Sequence, residues 1–259
     1  MNFATVKLDI DYRGVATITL NRPSKHNALS SVMISELTDI CHKLGADIDV
    51  RVVVLAGSGK SFCAGGDLSW MQEQMSATRA TRISEARKIA EMLNDFNLLP
   101  KPVIGKIHGN AFGGGVGLIS VCDNVISSKN AKFGLTEVKL GLIPATISPY
   151  VIARMGEGKA RQVFMSARIF DCNKALELGL VSEIANDLDT AIEDEILLYL
   201  SAAPQAIAAT KALVRSLGPK IDNQVIDDTI QRLVDTWEQA EAVEGVSAFF
   251  EKRKAKWQI

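Results

Sequence analysis

The 259-residue chain has few of the side chains that build specialised chemistry. Its four cysteines, Cys41, Cys63, Cys122 and Cys172, are far apart and form no C-x-x-C pair. They sit mostly in apolar stretches, which suits reduced structural thiols in a cytosolic protein rather than a disulfide framework. The three histidines, His26, His42 and His108, are scattered, and no H-E-x-x-H or Cys/His cluster exists, so no metal site is expected. His42 reads as a helix-surface residue. There is no G-x-S-x-G elbow, which removes the usual serine-hydrolase pattern. Charge of one sign is also missing: 29 basic against 30 acidic residues give a net charge of −1. That leaves no one-sided field for nucleic acid or an anionic membrane, and neither partner is expected. No apolar run is long enough to span a bilayer, and Met1 to Asp11 alternates charges instead of placing a basic segment before an apolar one. The expectation is a soluble, cytoplasmic protein.

What is present is a core-forming sequence. With 47% hydrophobic and 23% charged residues, the chain can bury one large domain, or a domain with a small appendage. Val6, Leu8 and Ile10 alternate with polar residues, Tyr12-Arg13-Gly14 can turn, and Val15 to Leu20 resumes an apolar run, which predicts a hairpin. From Ser30 the period lengthens, placing Met33, Leu37, Ile40, Cys41 and Leu44 on one helical face. Arg51 to Ala56 then reads as a buried strand. A second helix from about Thr81 to Leu98 leads to a strand over Pro102 to His108. Asn124–Ser127 and Ala131–Phe133 read as further short strands. Alternating strands and helices predict an α/β domain with right-handed crossovers. From Pro204 onward only helical patterns occur, so an all-helical part is predicted to begin near Ser201.

Two of these strands run into glycine-rich turns, Ser61-Phe-Cys-Ala-Gly-Gly-Asp-Leu68 and Gly109-Asn-Ala-Phe-Gly-Gly-Gly-Val-Gly117. Ligands collect at the carboxyl ends of strands in such folds, and glycine lets a ligand approach backbone N–H groups closely. Two such turns facing each other could hold one oxygen, as needed when a thioester carbonyl becomes an enolate. The alternative is that the glycines serve only tight turns and close packing. Phosphate motifs fail: a P-loop ending at Gly59-Lys60-Ser61 would need glycine at Val54, and a dinucleotide fingerprint starting at Gly113 would need glycine at Leu118. Among the acids, Glu137 lies in an apolar setting, Phe133-Gly-Leu-Thr-Glu-Val-Lys-Leu-Gly-Leu-Ile-Pro144. Burial there would raise its pKa and suit it to general acid/base work. The alternative is an exposed acid paired with Lys139.

These residues resemble the enoyl-CoA hydratase/isomerase (crotonase) superfamily along nearly the whole chain. Asn21-Arg-Pro-Ser-Lys-His-Asn-Ala-Leu29 is similar to its early CoA-contacting loop. Phe62-Cys-Ala-Gly-Gly-Asp-Leu68 is similar to its first oxyanion loop, and Gly109 to Asp123 to its second loop and helix. The resemblance implies an α/β fold, a spiral of β-β-α units, with an acyl-CoA-binding core over residues 1–200. It implies a helical region over residues 201–259 that mediates assembly into a homotrimer or a hexamer. The N–H groups of Gly66 and Gly114 would form the oxyanion hole, with Glu137 as the catalytic acid/base. Lys25, Ala28, Ala64, Asp67, Leu68 and Gly117 would be substrate-contacting positions, Lys25 near the CoA phosphates and Ala64 and Leu68 along the adenine and thioester path. Coenzyme A enters as part of the acyl-CoA substrate, and no cofactor is implied.

One departure bears on the chemistry. Two-glutamate hydratases of this family carry their first glutamate two residues after the last glycine of the G-G-G run, where this chain has Gly117. Asp67 to Met71, Gly113 to Leu118 and Leu142 to Tyr150 resemble bacterial methylglutaconyl-CoA hydratases, a branch with the same glycine. That implies hydration of an α,β-unsaturated acyl-CoA, and the likeness to this branch points to a branched dicarboxylic one such as 3-methylglutaconyl-CoA, with Arg79, Arg82 or Arg87 as candidates to meet a distal carboxylate. Surface charge on a helix is the competing reading of those arginines. The rival activities are a Δ3,Δ2-enoyl-CoA isomerase using Glu137 alone, or a non-catalytic RNA- or acyl-CoA-binding member.

Overall fold

The computed structural model describes residues 3–259. The predicted hairpin pairs β1 (Val6–Ile10) antiparallel with β2 (Val15–Leu20). Helix α1 (Ser31–Ala46) starts where the Ser30 hydroxyl accepts from the Met33 N–H, and it buries Met33, Leu37, Ile40, Cys41 and Leu44 as the periodicity requires. Strand β3 (Val52–Gly57) follows. Its unbroken apolar run is explained by burial on both faces. Val53 and Leu55 enter the main core, whereas Val52 and Val54 meet Ile192 and Ile196 on the other side.

After β3 the chain turns at once into a second sheet through β4 (Ser61–Cys63), and α2 (Leu68–Ser76) and α3 (Arg79–Leu98) return it. The step repeats as β5 (Val103–Ile107), β6 (Asn110–Phe112) and α4 (Gly114–Ser120). It begins a third time as β7 (Asn124–Ser128) and β8 (Lys132–Gly134). Then come α5 (Ser148–Met155), α6 (Glu157–Phe164), β9 (Ile169–Asp171), α7 (Cys172–Leu178), β10 (Glu183–Ala185) and α8 (Leu188–Leu200). The large sheet has the order β1-β2-β3-β5-β7-β10, and the small one β4-β6-β8-β9. Each β-β-α step therefore adds one parallel strand to each sheet, and the small sheet stacks the ends of successive steps beside one another. That stacking brings the two glycine turns together.

The helices α9 (Pro204–Leu217), α10 (Asn223–Trp237) and α11 (Ala240–Phe250) complete the chain. The boundary expected near Ser201 falls between α8 and α9. The tail folds back on the body: Ile226, Ile230 and Val234 pack on Ala86 and Ala90 of α3, and Trp237, Ala242 and Val246 pack with Leu142. Among the described residues no single helix is long and apolar enough to cross a membrane.

Helix α9 buries none of its own residues. It is tethered by Lys211, whose ammonium donates to Asp123 at 2.7 Å and to the Lys101 carbonyl at 3.0 Å. Asp123 Oδ2 also accepts from the Val103 N–H at 2.8 Å, so one carboxylate ties α9 to the starts of β5 and β7. Asp123→Ala would strand an ammonium that is only 9% exposed, and should cost about 3 kcal/mol of stability. Thermal denaturation checks this, and a loss below about 1 kcal/mol would show that α9 is held some other way.

Candidate active site

The first turn, between β4 and α2, is gripped by Leu29. The Leu29 N–H donates to the Gly65 carbonyl at 2.8 Å, and the Asp67 N–H donates to the Leu29 carbonyl at 3.0 Å. The residue between them, Gly66, is thereby held with its own N–H donating to no acceptor among the described residues. The second turn, between β6 and α4, places Gly114 at the first position of its helix, where the N–H has no intrahelical partner. The turns nearly touch. A Cβ on Gly113 would lie 3.8 Å from the Gly65 Cα, and one on Gly114 would lie 4.0 Å from the same atom. Gly65 and Gly113 have φ of +98° and +48°, which other residues adopt only with strain.

Glu137 opens a single 3-10 turn, Glu137–Leu140, just beyond β8. Its Oε1 would stand 2.8 Å from a Gly113 Cβ, so the bare backbone there makes room for the carboxylate. Its Oε2 is buried with no hydrogen-bond partner, and no ion pair joins it to Lys139, which is exposed. Burial without a cation raises the Glu137 pKa from 4.5 to about 7, offset in part by a bond from its own N–H. The residue keeps some accessible surface because it faces a cavity of about 410 Å³.

That cavity is walled by apolar side chains, chiefly Leu29, Leu68, Trp70, Met71, Ile147 and Trp237. Among the described residues Glu137 is the only charged one in its lining, and Ala64, Gly66, Gly114 and Thr146 also line it. Two unengaged N–H groups, one desolvated carboxylate and an apolar chamber are what enolate chemistry on an acyl thioester requires. Residues 11–259 match the family described as Enoyl-CoA hydratase/isomerase. The chain belongs to that family. It is 32% identical over 249 residues to the short-chain-enoyl-CoA hydratase of Clostridium acetobutylicum, covering 93% of this chain and 92% of that one. The enoyl-CoA hydratase structure from Shewanella pealeana has a TM-score of 0.82 at 39% identity, covering 98% and 96% of the two chains. One from Mycobacterium avium has a TM-score of 0.86 at 31% identity over the whole of both. As a member of the enoyl-CoA hydratase/isomerase family, the protein is an enzyme with the α/β spiral predicted from its sequence.

The structure distributes the predicted site residues unevenly. Gly66, Gly114, Glu137, Ala64 and Leu68 share the cavity. Lys25 and Ala28 lie outside its lining, on the loop that leads into Leu29; Lys25 is exposed, while Ala28 is buried and its carbonyl accepts from Arg22 at 2.7 Å. Asp67 lies outside the cavity lining. Its buried carboxylate pairs with Arg22 at 2.7 Å and caps α2 by accepting from the Ser69 N–H, fastening the 21–29 loop to the first glycine turn. Arg79 is paired with Asp235 and Glu238, and Arg87 with Asp227 and Glu91, so both cross-link α3 instead of entering the cavity. Arg82 donates to the carbonyls of Gln74 and Met75 and stacks 5.7 Å from the Trp237 ring.

Gly117 also lies apart from the other predicted positions. It does not line the cavity, because Ile147 stands over it: a Cβ there would lie 2.5 Å from Ile147 Cγ2. The space beside Gly117, where the family's first glutamate would extend, is filled by the Ile147 side chain. The residues that sequence reasoning missed as cavity walls, Trp70, Ile147, Leu233 and Trp237, carry only the ordinary apolar signal of core positions. Gly117→Ala should destabilise the protein by about 1–3 kcal/mol through overpacking. Adding Ile147→Ala should recover much of that loss beyond the sum of the single effects, as a chemical-denaturation cycle would show.

Proposed function

We propose that the enzyme hydrates an α,β-unsaturated acyl-CoA at C2=C3 with one carboxylate. The observation that carries this reading is the buried, unpaired Glu137 facing two turns whose Gly66 and Gly114 N–H groups are unengaged. Ionised Glu137 takes a proton from water as the hydroxyl adds to C3. Negative charge moves to the thioester oxygen, where the two N–H groups stabilise it, each by roughly 3–4 kcal/mol. Glu137 then returns the proton to C2, so the elements of a single water add syn. No cofactor is needed, because the thioester accepts the electrons and Glu137 carries the proton. Thr146, which lines the cavity and whose hydroxyl has no hydrogen-bond partner among the described residues, is the group proposed to hold the water.

The lining contains no lysine, arginine or histidine, which favours an uncharged acyl group. A branched dicarboxylic substrate such as 3-methylglutaconyl-CoA would require Arg82 to leave its place on Trp237. A second reading, Δ3,Δ2-enoyl-CoA isomerisation, draws support from Ile147 closing the Gly117 position, since one acid suffices to move a proton between C4 and C2. Incubation with a 3-enoyl-CoA separates them: an isomerase yields the 2-enoyl ester faster than any hydroxyacyl product forms.

Assembly into a trimer or a hexamer is proposed on a separate observation. Leu213, Val214 and Leu217 of α9 and Leu198 of α8 are each more than half exposed, more apolar surface than an isolated helical edge usually presents. Sedimentation at low micromolar concentration should give a species several times the 28.0 kDa chain mass, and a persistent monomer would refute it.

Glu137→Gln should retain acyl-CoA binding and lose at least about a hundredfold in kcat, because an amide cannot exchange the proton. Since the base must be ionised, kcat/KM of the parent should rise with pH through an apparent pKa of about 7. Stability runs the other way. The raised folded-state value means that this group's contribution is fully present below its unfolded value of 4.5 and is lost as pH rises through about 7. Glu137→Gln should therefore gain about 2 kcal/mol relative to the parent between pH 5.5 and 8.5. A pH-independent difference in melting would show that the carboxylate is solvated.

A further inference from the structure

Trp70 lies in the first turn of α2, four residues after Gly66, and lines the cavity. Its ring also lies closest to the point where a side chain on Gly66 would begin. From the Cβ position of Gly66 the nearest atoms are Trp70 Cε3 at 3.8 Å and Met71 Cγ at 3.9 Å. The orientation of the indole therefore sets how closely the first turn is covered. An indole of this kind, partly exposed and on a short helix, is not fixed by packing alone.

What fixes it is a carboxylate from the next helix. Trp70 Nε1–H donates to Glu85 Oε2 at 3.2 Å, and the Ser31 hydroxyl donates to the same oxygen at 3.2 Å. Lys88 donates to Glu85 Oε1 at 2.6 Å. The Glu85 side chain is only 17% exposed. Burial works against its charge, but bonds from Lys88, Trp70 and Ser31 outweigh this and hold the pKa below the usual glutamate range. Glu85 thus remains an ionised acceptor at neutral pH. Its two remote donors flank the same loop. Ser31 begins α1 two residues after Leu29, whose backbone grips both sides of Gly66, and Trp70 covers Gly66 from α2.

We infer that Glu85 is a positioning residue for the thioester site, acting through the Trp70 indole on the Gly66 turn. The inference rests on the reading of Gly66 as an oxyanion donor. Glu85 touches neither the cavity nor the reacting atoms; it holds the wall that holds the donor. Small displacements of such a donor lower turnover more than binding, because the contact matters most when charge reaches the oxygen.

The test is a double-substitution cycle on the full chain with 2-butenoyl-CoA as substrate. Glu85→Ala and Trp70→Phe, the second keeping a ring but not the N–H, should each lower kcat about tenfold while KM stays within about twofold. The double variant should fall no more than about twofold below either single one. Glu85→Gln, which keeps an oxygen acceptor, should remain within about threefold of the parent. Losses that multiply to about a hundredfold, or a parental kcat in Glu85→Ala, would overturn the assignment. Indole emission supplies a readout that does not depend on turnover. Glu85→Ala should shift the emission in the parent background but not in Trp70→Phe, which retains only Trp237 and Trp257. An unshifted Trp70 signal refutes the positioning role alone, whereas a parent that hydrates no 2-enoyl-CoA refutes the hydratase reading alone.

Discussion

The site depends on one constraint: backbone must meet backbone where the two glycine turns converge, with no side chain between them. A methyl group on Gly65 would press on the Phe112 carbonyl oxygen at 3.1 Å, and one on Gly113 would stand 2.8 Å from Glu137 Oε1, so the same bareness admits the Glu137 carboxylate. The β-β-α spiral exists around that contact. Each step delivers one very short strand to the small sheet, and pairing β4 with β6 and β6 with β8 brings both turns and the segment that carries Glu137 into register. Stability of the large sheet, with its fully buried valines, makes such an exposed arrangement of N–H groups sustainable.

Much of this was legible before the coordinates. The hairpin, α1, β3, α3 and β5 follow from apolar periods long enough to be distinctive, and the buried stripe of α1 contains every residue that its spacing predicted. Strands β4 and β6 were readable only as glycine-rich turns. Three residues cannot display a period of two, and these strands owe their form to each other rather than to their own sequence. The stretch from Ser148 to Leu200 offered no comparable pattern, because most of its helices span only seven or eight residues. Glu137 could be singled out from its apolar flanks, but its lack of a partner could not, since that depends on what Lys139 does in space.

The predicted positions that fall outside the cavity lining share a cause. Asp67 and Gly117 sit inside motifs whose neighbours line the cavity, yet one is turned inward to Arg22 and the other is covered by Ile147, thirty residues further along the chain. A motif records proximity in sequence, whereas contact with a ligand depends on which side of a turn faces the void. The arginines of α3 illustrate the same point: their charges are spent on α10 and on the end of α2, so the C-terminal helices that they secure supply Leu233 and Trp237 to the chamber.

The pairing of Gly117 with Ile147 also constrains what this enzyme can become. A two-carboxylate site is one codon away on paper, yet either order of change passes through a damaged intermediate. A glutamate introduced first collides with the isoleucine, and a smaller residue at position 147 introduced first leaves a void in the main core, to which Ile147 belongs. The two positions form a ratchet. Drift at either one alone is opposed by loss of folding stability, so a one-acid lineage of this kind would tend to stay one-acid even under selection for a second carboxylate, unless it first gained enough surplus stability to cross the gap.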